Sequence, residues 1–275
     1  MAVLVHSWNE VDADALCAHA RVVAFDLDNT LAVSKQPMLP DMADRFTQLT
    51  CLTPTAIITG GRWELVVSQI LDVLGERANR ANLHLMPTSG SSYYRWNGHT
   101  WQCEYARTLS EADRAAAIAS LTRRAHEQGI WPDHPYGEPI EDRGSQITFS
   151  ALGQKASAEA KRAWDPDDVK KQRLVAAVAA DLPRLHVRAG GYTSVDVSEG
   201  NVDKAYAVRQ LAQQVGSTPE QIVFIGDRMT PGGNDYPAAM AGAVAVHVND
   251  PSDTVQLCDR LIRGFMKRTA AHDAR

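Results

Sequence analysis

The sequence predicts an α/β protein whose parallel-sheet domain is interrupted by an inserted α+β module. Three observations carry this. Short runs that are apolar on both faces end abruptly in polar residues and alternate with helical patterns, which is how a parallel sheet covered by helices reads. Between about residues 92 and 197 the pattern changes to strands alternating apolar and polar residues, the mark of a one-sided antiparallel sheet. The chain has 275 residues, 44% apolar and 22% charged, enough for one large domain or two modest ones with a sizeable core. The expected division is 1–91 with 198–275 for the parallel-sheet domain and 92–197 for the insertion.

The elements follow in order. "RVVAF" (21–25) is a β-branched run that leads straight into Asp26-Leu27-Asp28-Asn29-Thr30. "TAIIT" (55–59) ends in Thr59 and is followed by Gly60-Gly61. "WELVVSQILDVLGE" has helical spacing, with Gly75 near its end. In the module, "YYRWNGHTWQCEY" places Asn97-Gly98 between two aromatic runs, a hairpin signal because both residues tolerate positive φ. Its aromatics Tyr93, Tyr94, Trp96 and Trp101 are expected to pack within that hairpin. Helical patterns at 110–128 and 166–181 separate the strands "SQITFSAL", "RLHVRAGG" and "YTSVDVS". The chain returns near residue 198 with a helix opening at about Asn201, the strand "QIVFI" ending in Gly226-Asp227, and the strand "AVAVHV". The final "KRTAAHDAR" reads as a frayed tail.

Bulk properties exclude several classes. A net charge of −5 and pI near 6 disfavour binding to nucleic acid or an anionic membrane through overall charge. Cys17, Cys51, Cys103 and Cys258 are widely spaced, which disfavours a zinc site or disulfide framework and suits the cytoplasm. Neither a signal peptide nor a membrane span is expected.

Open parallel sheets bind ligands at the carboxyl ends of their strands. Here those ends carry Asp26 and Asp28, Thr59, and Asp227. Taken singly, each has an ordinary explanation as a helix cap or turn residue. Side chains alternate along an extended chain, so Asp26 and Asp28 are expected to face the same way. Two close carboxylates repel unless a cation or proton intervenes. Asp227 can add a third oxygen ligand, and an all-oxygen set suits Mg²⁺. Lys204, near the start of its helix, would hold a neighbouring carboxylate ionised and attract phosphate. His247, in the last strand, reads as a structural residue.

D-x-D-x-T after one strand, Thr59 after a second, a helix lysine and G-D…N-D after a later strand resemble the four motifs of the haloacid dehalogenase-like superfamily of phosphohydrolases. "GDRMTPGGNDY", "GGYTSVDVSEGNVDKAYAV" and "IEDRGSQITFSALGQKA" resemble, more closely, its eukaryotic-type phosphomannomutase branch. The resemblance covers roughly residues 20–260. It implies a Rossmann-like core with a large α/β cap and Mg²⁺ held by Asp26, Asp28, Asp227 and Asp235. It makes Asp26 the nucleophile, Asp28 the acid/base and Lys204 the group that orients Asp26. Thr59 and Gly60 would hold the transferring phosphoryl group, and Asn234 with Asp235 would tie the metal loop back. Asn29 stands where that branch has Gly, a turn Asn can still make.

Cap residues separate the possible activities. Arg143, Ser194 and Asp196 match the branch's sugar-phosphate-binding residues. Gln154 stands where a second arginine would be, Lys161 near a third with Arg162 beside it, and Lys35 replaces another. Glutamine lacks the bidentate charged fork, and lysine does not restore it. The expected activity is therefore a Mg²⁺-dependent phosphatase for a small phosphorylated sugar or polyol, with phosphomannomutase as the alternative. A non-catalytic binding module would be expected to have lost Asp26, Asp28 or Asp227, and none is lost. A homodimer through the cap is expected from the same resemblance.

Overall fold

The structure is a computed structural model describing residues 3–200 and 202–273. It contains one eight-stranded and one four-stranded sheet. The chain divides into two units: Met1–Tyr105 with Asp203–Pro231 and Asp235–Arg275, and Ala106–Val202 with Gly232–Asn234.

In the first unit the sheet order is β1 (Val5–Ser7), β12 (Val244–His247), β11 (Ile222–Gly226), β2 (Val22–Phe25), β3 (Thr55–Ile58), β4 (Leu83–Met86), β5 (Ser92–Trp96) and β6 (Trp101–Ala106). The pairs from β1 through β4 are parallel, and β5 runs antiparallel to β4. Alternation splits the buried strands between two cores. Val23, Phe25, Ile57, Val223 and Ile225 face one side, with Phe46 of α2 (Pro40–Leu52) and Phe265 of α10 (Pro251–Asp273). Val22, Ala24, Ile58 and Phe224 face the other, with Val208 and Leu211 of α8 (Lys204–Gln214). This is the helix-covered sheet that the doubly apolar runs predict.

The described structure departs from the sequence reading at four places. The 92–106 hairpin, expected in the inserted module, extends the large sheet beyond β4. Its aromatics accordingly pack on the first unit: Tyr94 stacks on Trp63 at 3.9 Å between ring centroids, and Trp101 lies edge-on to Trp63. β1 and β4 add two strands to the four expected in the parallel sheet. The helix after Gly61 is a short α3 (Trp63–Val66) that passes into a π-helical turn (Val67–Leu71) rather than one continuous helix. The C-terminal segment is helical to Asp273. The helix start expected at Asn201 falls on a residue outside the described ones; α8 itself begins at Lys204, capped by the Asp203 side chain on the Tyr206 N–H.

The second unit is an antiparallel sheet in the order β7 (Ile140–Asp142), β8 (Gln146–Ser150), β10 (Ser194–Glu199), β9 (Leu185–Ala189). Ile147, Phe149, Val187, Val195 and Val197 point to one side and form a core with Leu121 of α5 (Glu111–Glu127) and Leu174 of α7 (Val169–Asp181). The alternate residues therefore form a polar face.

Candidate active site

Asp26 follows β2 at the point where strand order reverses: β3 and β4 extend to one side, β11 and β12 to the other. Open sheets place their ligand crevices at such switch points. The Asp26 N–H donates to the Ile225 carbonyl at 2.9 Å, so the ladder with β11 fixes its backbone. Asp227 comes directly after β11. Asp235 is brought back by two contacts with Arg228: its N–H donates to the Arg228 carbonyl at 3.2 Å, and its Oδ2 accepts the Arg228 N–H at 2.9 Å. A Cβ on Gly226 would lie 2.6 Å from Asp235 Cγ, so only glycine admits this carboxylate. Asn234 was expected to share the tie; its Oδ1 is buried with no hydrogen-bond partner among the described residues.

The carboxylates of Asp26, Asp227 and Asp235 have oxygen atoms within 4.8 Å of one another. Lys204, fully buried at the first turn of α8, donates to Asp26 Oδ1 and Asp235 Oδ1. One ammonium thus faces three carboxylates. Burial pushes the Asp26 carboxyl well above the usual carboxylate range; Lys204 opposes this, while Asp235 and Asp227 add to it. Burial and then Asp235 raise Asp227 to about 7. Burial alone would lower Lys204, but the charges of Asp235 and Asp26 outweigh it and hold the ammonium above its ordinary value. The cluster is short of positive charge and offers only oxygen donors, which fits a hard divalent cation.

Asp28 does not join this cluster. The strand ends at Phe25, and beyond Asp26 the chain turns, with the Leu31 N–H on the Leu27 carbonyl at 3.0 Å and the Asn29 N–H on the Ala32 carbonyl. The strict alternation that would put both carboxylates together therefore stops. Asn29 takes φ +61°, the left-handed turn expected of it. Asp28 Oδ1 instead accepts the Lys35 N–H at 2.8 Å and Gln69 Nε2 at 3.2 Å.

Thr59 directly follows β3, with its Oγ1 accepting the Gly61 N–H at 3.0 Å. Behind this loop is α4 (Pro87–Gly90), a turn left-handed at Thr88 and Ser89, whose N–H groups donate to the Gly61 and Thr59 carbonyls at 2.8 and 2.7 Å. A Cβ on Gly60 would meet nothing within 4 Å, so the loop backbone is open on that side. His247 Nε2 bonds the Asp227 carbonyl at 3.1 Å, a structural role as expected, with the proton on Nε2 because a carbonyl only accepts.

On the second unit, register aligns Glu141, Thr148, Asp196 and Arg188 in one row across four strands, with Gln146, Ser198 and His186 in the next. Thr148 Oγ1 donates to Asp196 Oδ1 at 2.8 Å, and Arg188 reaches Asp196 at 3.7 Å and Gln146 Oε1 at 3.3 Å. Arg143, in the β7–β8 turn, donates from Nε and a terminal nitrogen to Glu141 Oε2. Ser194 Oγ accepts the Gly191 N–H at 2.8 Å. Lys161 Nζ donates to the Gln154 carbonyl at 3.2 Å, and the Arg162 guanidinium lies 5.8 Å from the Tyr192 ring centroid. Arg188 was missed in the sequence, although its place in the alternating "RLHVRAGG" puts it on this face. Gln69 was also missed.

A profile for eukaryotic phosphomannomutase matches residues 132–264. Phosphomannomutase of Spinacia oleracea is 24% identical over 248 residues, covering 88% of this chain and 96% of that protein. Phosphomannomutase 1 of Homo sapiens is 25% identical over 277 residues, covering 96% and 99%. Among solved structures, IMP-nucleotidase of Plasmodium falciparum superposes with a TM-score of 0.67 at 14% identity, over 91% of this chain and 71% of that one. A haloacid dehalogenase-like hydrolase of Bacteroides thetaiotaomicron gives a TM-score of 0.56 at 14% identity, over 88% and 99%. With the fold, the order of its motif residues and these relatives in agreement, the chain has a haloacid dehalogenase-like fold and is similar along most of its length to the eukaryotic phosphomannomutases.

Proposed function

We propose that this protein is a Mg²⁺-dependent phosphotransferase that carries the phosphoryl group on Asp26, and that it interconverts mannose 1-phosphate and mannose 6-phosphate. The buried Lys204 bridge from Asp26 to Asp235, beside Asp227, is the observation that carries the chemistry. Lys204 occupies Oδ1 of Asp26 and leaves Oδ2 to attack phosphorus. The bond from phosphorus to the sugar oxygen breaks, and Asp28, as the acid, gives that oxygen its proton. Asp28 then takes a proton from the hydroxyl that attacks the aspartyl-phosphate, and Asp26 leaves as a carboxylate. Bound Mg²⁺, held by Asp26, Asp227, Asp235 and the main-chain carbonyl of Asp28, would neutralise phosphate oxygens as charge shifts. Thr59 and the Gly60 backbone would receive the transferring group, and Arg143, Ser194 and Asp196 the sugar phosphate.

The choice of mutase over hydrolase rests on relatives matched along nearly the whole chain, and it reverses the order that Gln154, Lys161 and Lys35 suggested. Hydrolysis remains the second reading because Gln154 and Lys161, bonded to its carbonyl, supply no guanidinium there. Phosphorus NMR with mannose 1-phosphate and Mg²⁺, with and without a trace of glucose 1,6-bisphosphate, separates the two. Primer-dependent formation of mannose 6-phosphate supports the mutase; primer-independent release of inorganic phosphate replaces it with the phosphatase. Asp26→Asn is the blank, and activity surviving in it would end both.

A further inference from the structure

We infer that Gln69 is a positioning residue for Asp28, holding the carboxylate in the orientation in which it exchanges its proton. The side chain is buried, and its Nε2 donates both protons, to Asp28 Oδ1 at 3.2 Å and to the Gln36 carbonyl at 3.0 Å. Two acceptors at one end fix which end of the amide is nitrogen. The other end pays for it: Gln69 Oε1 is buried with no hydrogen-bond partner among the described residues. Leaving a buried carbonyl oxygen unsatisfied is unfavourable, so packing alone does not account for a glutamine here; a methionine would fill the space without an orphan atom.

The backbone around Gln69 serves the same end. It lies in the π-helical turn Val67–Leu71, whose wider winding rotates the side chain relative to a continuous α-helix. The Gln69 carbonyl accepts the Met38 N–H at 2.9 Å. The segment after Asp28 is therefore stitched at three points, Lys35 to Asp28, Gln36 to Gln69 and Met38 to Gln69. Asp28 Oδ1 receives two N–H donors and is committed as an acceptor. Oδ2 is left as the oxygen that carries the proton, and rotation of the carboxylate would break both contacts. Nothing in the motifs requires a glutamine at this position, and the role follows from the hydrogen bonds alone.

This inference rests on the reading of Asp28 as proton carrier. A proton is needed when the leaving group is a sugar or alkyl alkoxide, and hardly at all when it is p-nitrophenolate. The test is single-turnover phosphorylation of the full-length enzyme with Mg²⁺, using a series of alkyl and aryl phosphates. Wild type is compared with Gln69→Glu, which keeps the shape but loses the donors when ionised, Gln69→Met, and Asp28→Asn. Both Gln69 variants are expected to react about 10²-fold slower with alkyl phosphates, within the usual range for lost acid catalysis, and to match wild type on p-nitrophenyl phosphate. The dependence of rate on leaving-group pKa would then steepen, which loss of stability alone does not cause. If Asp28→Asn steepens it and neither Gln69 variant does, Gln69 is a packing residue and the inference is wrong while the proposed chemistry stands. If Asp28→Asn leaves it unchanged, Asp28 is not the acid and both fall together.

Discussion

Lys204 stands between two carboxylates that would otherwise meet in a buried site, and it is the only cation bonded to both among the described residues. Replacing it by methionine leaves two buried anions facing each other. Breaking a buried pair in this way costs about 3–5 kcal/mol, so Lys204→Met is expected to lower the urea midpoint markedly in metal-free protein, and added Mg²⁺ to recover part of the loss. A midpoint within error of wild type would mean that Asp26 and Asp235 do not carry the charge assigned to them. The residues of this cluster were legible in the sequence because each lies where a strand ends or a helix begins. Gln69 was not. A regular helical reading of "WELVVSQILDVLGE" assigns it an angle that the π-helical turn changes, and a one-residue change of winding leaves no mark in hydrophobic spacing. Asp28 was misplaced beside Asp26, because the strand stops at Phe25 and the alternation ends with it.

Among the elements, glycine positions say most about how the sites are built. A Cβ on Gly190 would lie 2.6 Å from Ser194 Oγ and 2.9 Å from Asp196 Oδ2. Gly190→Ala is therefore expected to displace two proposed sugar-phosphate contacts, raising KM for mannose 1-phosphate by about tenfold, the effect of losing roughly 1.4 kcal/mol of binding. Single-turnover phosphorylation of Asp26 by acetyl phosphate, which has no sugar, should stay unchanged. A fall in both would place the fault in folding instead. Gly226→Ala acts on the other unit, against Asp235 Cγ, and is expected to weaken Mg²⁺ binding by titration calorimetry. An unchanged affinity would remove Asp235 from the metal set. The hairpin around Asn97-Gly98 was legible as a hairpin, but its allegiance was not, since that depends on Trp63 and Tyr94 stacking across a sequence gap. β1 escaped notice as a three-residue strand, and β4 because His84 breaks its apolar run. That histidine is buried against the Tyr93 hydroxyl at 2.8 Å, and burial lowers it to about 3, so it stays neutral inside the sheet.

Across the whole molecule the carboxylate cluster links stability to pH. The Asp227 carboxyl is raised from 3.8 to about 7, so its contribution to folding is fully present below about pH 4 and is lost as pH rises through about 7. Metal-free protein is thus expected to melt lower at pH 8 than at pH 6 where this group dominates, and Mg²⁺ to raise the melting temperature more at pH 8. Scanning fluorimetry at both pH values, with EDTA or excess Mg²⁺, checks this, and an equal metal effect would contradict the assignment. The two-part architecture was legible because hydrophobic alternation differs in kind between parallel and antiparallel strands; its boundary was not, because a hairpin looks the same at the edge of either sheet. The first unit is also discontinuous in the chain, with β2 paired to β11 across the whole intervening insertion. On the ribosome, then, the strand that leads into Asp26 emerges long before its neighbour. Until residue 226 has left the exit tunnel, Val22–Phe25 lacks its pairing on that side, an open edge of four apolar residues. Nascent chains stalled before that point are therefore expected to be more open to aggregation and to chaperone capture than the completed chain.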